Sequence, residues 1–189
     1  MLPDREWVQL SKGIRVYSVA NRNQDSMLLI DVNGRLVINL NDSSDYGESF
    51  RVRRLAKHFN EVYMLQLHGW GGADMLNLFD PSGRKIVSPE ERRRPIAPRS
   101  QSSARAMGAN KVIPFSSFRR YQPEDSAWAN DLVPELDDYL ADSLPNWLEI
   151  IPAFVRIDCE TDEITPLNPR RTSRIIKSRK ISATAGPIP

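Results

Sequence analysis

Met27-Leu28-Leu29-Ile30-Asp31-Val32-Asn33-Gly34-Arg35-Leu36-Val37-Ile38-Asn39-Leu40 is the stretch that decides the fold class. Two apolar runs flank Asn33-Gly34, and both turn residues tolerate a positive φ. That pairing predicts a β-hairpin with strands over 26–32 and 35–40. Upstream, Ile14-Arg15-Val16-Tyr17-Ser18-Val19 alternates apolar and polar side chains, the period of a half-buried strand. Trp7-Val8-Gln9-Leu10 reads as a further short strand. Downstream, strand chemistry stops at Asn41-Asp42-Ser43-Ser44-Asp45. A helix is expected next, with Phe50, Val52, Leu55, Ala56 and Phe59 on one broad apolar face and Arg51, Arg53, Arg54 and Lys57 turned to water or a partner. Val62-Tyr63-Met64-Leu65-Gln66-Leu67 then reads as a strand buried on both sides. Strand, helix and strand in succession suggest a βαβ-like unit, which sets the class as α/β (α+β) with flanking helices.

His68-Gly69-Trp70-Gly71-Gly72 breaks the pattern, its glycines allowing tight turns and close backbone approach. The charged, proline-broken stretch 80–98 is expected to be an exposed excursion. A short helix is predicted over 99–107, closed by Gly108, followed by a strand over 111–115. Residues 123–130 read as a loop, and Leu132, Val133, Leu136, Tyr139 and Leu140 as the apolar face of a helix. Residues 154–159 read as a late strand, with Glu160-Thr161-Asp162-Glu163 turning after it. The sequence shows no internal repeat.

With 189 residues the chain is long enough for one domain with a substantial core. No apolar run reaches the ~20 residues of a membrane helix, and the first residues predict no secretory leader. Cys159 is the sole cysteine, so an internal disulfide and a thiolate metal cluster are both excluded. A cytoplasmic protein is the expectation. The net charge of +2 conceals an asymmetry. Arg170, Arg171, Arg174, Lys177, Arg179 and Lys180 crowd a C-terminal stretch with no acidic residue from Pro169 onward. Such a tail could touch nucleic acid, but no aromatics are interleaved with its charges, and a solvated, disordered end is the preferred reading. The domain expectation is one unit over 1–166 and a basic tail over 167–189.

The order of a hairpin ending in Leu40-Asn41-Asp42, a helix, an apolar strand and the Gly69–Gly72 loop resembles the C-terminal half of the metallo-β-lactamase fold. The similarity runs in pattern over roughly residues 14 to 160. It is nearest to the branch of the sialic-acid hydroxylase and the N-acyl-phosphatidylethanolamine phospholipase-like proteins. Its most specific stretches are Asn41-Asp42, Gly69–Gly72 and Pro114-Phe115-Ser116. The resemblance implies half of a β-sandwich with helices outside. It implies that Asp42, at a strand end, matches an aspartate bridging two metal ions, since a carboxylate there offsets two charges at once. Read from the residues alone, Asp42 is equally a helix N-cap or Asx-turn residue.

The family's first half carries a His-x-His-x-Asp-His cluster, and this chain has only His58 and His68, neither in such a cluster. A zinc site needs several donors converging at ~2.0–2.2 Å, which one aspartate cannot supply. Zinc, iron or manganese is therefore expected only if a missing half completes the site, and otherwise none. The resemblance thus implies a portion of a hydrolase-like protein, inactive alone, with an N-terminal half-domain or a second copy as partner. The alternative is a non-catalytic interaction module on the same fold.

Other candidates have plain structural readings. His68 sits where a strand enters the glycine loop, a place for a ligand or, more simply, a packed histidine. Gly69, Trp70, Gly71, Gly72, Ser116 and Ser117 would frame the substrate side. No Gly-x-Ser-x-Gly elbow surrounds the two serines, so neither is read as a nucleophile. His58 reads as a surface residue and Asp74 as a helix cap. The glycine loop lacks the Lys-Ser/Thr of a phosphate loop.

Overall fold

The structure, a computed structural model, describes residues 2–20, 25–43, 45–67, 79–84, 96–115, 120–124, 126–135, 138–139 and 144–167. A seven-stranded mixed sheet organises them. Its strands are β1 (Trp7–Ser11), β2 (Ile14–Ala20), β3 (Ser26–Val32), β4 (Arg35–Asn41), β5 (Val62–Gln66), β6 (Lys111–Pro114) and β7 (Glu149–Ile150), lying side by side in chain order. The first four pair antiparallel, and β4 to β7 pair parallel. The change of sense follows the connections: only two to five residues separate successive early strands in the sequence, whereas α1 (Ser49–Ala56) and α2 (Ile96–Met107) lie in the longer connections before β5 and β6.

The expected hairpin forms with Val32 opposite Arg35 and Leu29 opposite Ile38. Asn33 and Gly34 both take positive φ, at 50° and 84°. Asp31, nearly buried, fixes the turn from below: it accepts a hydrogen bond from the Gly34 N–H at 2.9 Å and pairs with Arg15 at 2.8 Å.

Strand alternation gives the sheet two unequal faces. One carries Tyr17, Val19, Met27, Leu29, Leu36, Ile38, Leu40, Met64 and Val112, all buried. They form one core with Val52 and Ala56 of α1 and Ala104 and Met107 of α2. The sealed stripe of α2 is Ile96, Ala97, Ser100, Ala104 and Met107, mostly small residues that let the helix lie close. The cross-strand pairs Ile30–Val37 and Leu65–Ile113 lie on the other face, and those four side chains and Leu28 are only half-buried.

A two-stranded hairpin, β8 (Val155–Ile157) and β9 (Ile164–Pro166), latches onto one end of this second face. Arg35 reaches from β4 to both carboxylate oxygens of Asp162, at 2.6 and 2.8 Å, and donates to the Glu160 carbonyl oxygen. Tyr63 donates its hydroxyl to Asp162 at 3.2 Å. Burial, then the Asp162 charge, pushes the Tyr63 phenol up to about 12. The Arg35 guanidinium holds the Asp162 carboxyl below its ordinary value of 3.8. The unfolded chain therefore takes up the proton first on acidification. The latch contributes fully above pH 3.8 and loses its contribution as pH falls through the lower folded-state value. Asp158 is held low as well, by the amides of Glu160 and Thr161. Arg35→Ala separates the two groups, because it removes only the Asp162 part. We expect hydrogen-exchange protection of the Asp158 amide, bonded to the Glu163 carbonyl at 2.9 Å, to fall in this acid window. In Arg35→Ala it should already be reduced at neutral pH; equal protection at neutral pH in both proteins would rule the latch out.

Several elements differ from the sequence reading. The second helix starts at Ile96, one turn before Arg99, because Pro98 falls in the first turn, where its missing N–H costs nothing. Residues 127–132, read largely as loop, form a 3-10 helix, and Val133 is extended, so the predicted apolar helix does not begin at Leu132. β7 was not anticipated: two residues between prolines carry no readable period. Phe50 is 78% exposed instead of packed, because the buried stripe of α1 runs through Val52 and Ala56 and Phe50 lies off it.

Candidate functional site

Parallel strands place their carboxyl ends along one edge. At that edge the Leu67 N–H donates to the Asn41 carbonyl at 2.7 Å, and the Phe115 N–H donates to the Gln66 carbonyl at 3.3 Å. Three connections therefore leave β4, β5 and β6 from adjacent points. In open α/β sheets ligands bind outside the carboxyl ends of the strands.

Of the residues proposed for the metal site and the substrate side, Asp42 alone lies among the described residues, and it sits at this edge. β4 ends with a register shift between Asn39 and Asn41, and Asn41 takes a positive φ of 48°. Asp42 follows in an exposed turn closed by the Ser43 N–H to the Leu40 carbonyl at 2.8 Å. The Asn41 side-chain amide donates to its Oδ1 at 2.6 Å. Asp42 is not the helix cap: α1 begins at Ser49, with Glu48 at the N-cap position. His68, Gly69, Trp70, Gly71, Gly72, Ser116 and Ser117 lie outside the described residues, as do Asp74, Phe118 and the tail from residue 168. His58 is exposed, just past the end of α1, as expected.

Among the described residues no group of three or more His, Cys, Asp or Glu side chains could hold a metal ion. One exposed carboxylate, already engaged by Asn41, does not fit a metal without further donors. No helix of the described residues is long and apolar enough to cross a membrane.

The same edge bears a feature the sequence reading missed. A cleft of about 290 Å³ opens between the ends of β4 and β5 and the outer side of α2. Leu40 and Gln66 line it from the sheet, Ser43 and Asp45 from the connection after β4, and Arg99, Ser102, Ser103, Ala106 and Met107 from the helix. The 99, 102, 103, 106 spacing puts those side chains on one helix face. Gln66 is the polar exception in an apolar strand, and its Oε1 is buried with no hydrogen-bond donor among the described residues. Those two signals, a polar stripe on a helix and a lone amide in a buried strand, were present in the sequence. A second cleft, of about 390 Å³, runs along α1 between Phe50, Arg53, Arg54 and Lys57.

Sheet and helices together define an α/β protein with a mixed seven-stranded sheet. The chain matches no described protein family and no curated protein sequence. Among solved structures it is similar to a protein of Thermotoga maritima assigned as a zinc-dependent hydrolase of the metallo-β-lactamase superfamily. That likeness has a TM-score of 0.40 at 13% identity and covers 80% of this chain and 70% of that one.

Proposed function

We propose that this chain forms one layer of a metallo-β-lactamase-like hydrolase module, with its site on the carboxyl edge of β4, β5 and β6. The observation that carries the reading is the adjacency of Asn41, Leu67 and Phe115 at that edge. The segments bearing Asp42, the 68–72 glycine loop and Ser116-Ser117 start from these neighbouring points. The sequence resemblance at Leu40-Asn41-Asp42 supports the same reading. Asp42 would contribute one ligand to a metal site whose other donors come from outside the described residues. The partner we propose is a complementary half bearing histidines. Its seat is the half-buried second face of Leu28, Ile30, Val37, Leu65 and Ile113.

A non-catalytic interaction module is the second reading, favoured by that same apolar face, which needs a covering partner whether or not any chemistry occurs. Metal content separates the two. We expect the isolated chain to bind zinc weakly, and Asp42→Asn to change its stability by less than about 0.5 kcal/mol, as for an exposed turn residue. Co-expressed with a His-rich half encoded beside it, the chain should retain near-stoichiometric metal that Asp42→Asn removes. A stable, metal-free complex would favour the interaction module. Bound metal that is indifferent to Asp42→Asn would take Asp42 out of the site.

A further inference from the structure

The cleft between the sheet end and α2 has a donor wall and an acceptor wall. On α2, Arg99 is exposed and has no carboxylate partner among the described residues, and Ser102 and Ser103 stand beside it on the same helix face. Across the cleft stand Asp45, whose carboxylate forms no ion pair among the described residues, and Gln66, whose buried Oε1 lacks a donor. Arg99 and Asp45 line one cleft without bridging it. A buried amide oxygen without a donor is costly unless something supplies one.

We propose that this cleft binds a small hydroxylated oxyanion, a carboxylate or a phosphate ester. Its charged end would meet Arg99 and the two serine hydroxyls, and its hydroxyls would donate to Asp45 and to Gln66, whose side chain turns to bring its covered Oε1 to the ligand. Guanidinium groups pair with planar or tetrahedral oxyanions through two parallel N–H bonds. The carboxylate at the opposite end disfavours a second negative charge there and accepts hydroxyl hydrogens instead. The volume of about 290 Å³ suits a compact molecule rather than a polymer. The inference rests on reading the carboxyl edge as the ligand side, but it requires no metal.

The test uses the full chain and four probes followed by amide chemical shifts: glycerate, glycerol 3-phosphate, and the controls glycerol and propionate. Glycerate or glycerol 3-phosphate should shift amides around residues 40–45, 66 and 99–106, and whichever binds more tightly tells carboxylate from phosphate. Glycerol, lacking charge, and propionate, lacking hydroxyls, should bind at least about tenfold more weakly, as expected when a charge-assisted bond or a buried acceptor's partner is lost. Arg99→Gln should weaken both anions by about tenfold or more, while Ser102→Ala gives a smaller loss. Both positions border solvent, and unchanged shifts in the free variants would show that they fold. Equal binding of propionate and glycerate, shifts confined to the basic α1 cleft, no binding of either anion, or binding untouched by Arg99→Gln would each overturn the proposal. Failure of the Asp42 metal test alongside Arg99-dependent binding would remove the metal reading and leave this one standing.

Discussion

Ile38→Ala is expected to destabilise the fold by about 2–5 kcal/mol, the range for truncating a large side chain in a sealed core. Ile38 is fully buried in β4, opposite Leu29 on one side and Met64 on the other. These pairs join the antiparallel part of the sheet to the parallel part, and the cavity would open beneath the helices. Its neighbour Val37 lies on the second face and is half-buried, opposite Ile30 and Tyr63. Val37→Ala in the isolated chain should therefore cost about 1 kcal/mol or less, since little surface returns to water. Urea denaturation of both variants reads the contrast. Equal costs would mean that the two faces are equally sealed and would remove the argument for a missing layer.

Gly108→Val should cost about 2–5 kcal/mol, from two sources that add. Gly108 has a φ of 77°, a conformation that costs a side-chain-bearing residue about 1–2 kcal/mol and a β-branched one more. A Cβ at this position would also stand 3.3 Å from the Ala56 Cβ and 3.3 Å from the Arg53 Cγ. Overpacking of that kind typically costs about 1–3 kcal/mol. The glycine ends α2: the Ala109 N–H donates to the Ala104 carbonyl, five residues back, at 2.9 Å. It also lets α2 touch α1, so thermal unfolding of Gly108→Val should show a large loss. Gly108→Asn separates the sources, because asparagine tolerates the backbone angle but not the crowding. Wild-type stability in Gly108→Val would show that the α1–α2 contact is soft.

What could be read in the sequence divides by the range of the forces involved. Asn33-Gly34 announced its turn because the constraint is local to two residues. The apolar run 62–67 announced a central strand, and Val62, Tyr63 and Met64 are buried on both faces as expected, whereas Leu65 to Leu67 are only half-buried because their sides of the sheet are less fully covered. Gly108 was legible as a helix stop for the same local reason. Phe50 misled because the apolar stripe of α1 is narrower than a helical wheel suggests, and only packing against the sheet reveals where it lies. β7 exists through its register with β6, with Lys111 facing Glu149, and two residues cannot advertise that. The Asp42 cap reading failed because helix onset depends on the whole 43–48 connection, not on the nearest aspartate. Arg99 and Gln66 lie 33 positions apart and meet only because α2 lies beside the end of β5. No pattern within one segment brings them together.

The strands occupy the sheet in the order in which the ribosome makes them. Each arriving strand finds its partner already synthesised at the growing edge, and no slot has to be held open for a later arrival. The first four are separated by only a few residues each, so the meander of residues 7–41 can organise while the rest of the chain is still emerging. The parallel strands then add one at a time, each waiting on the longer connection that precedes it. A sheet built this way grows outward from β1, and a nascent chain in which residues 7–41 have cleared the ribosome should already resist proteolysis in the first hairpins.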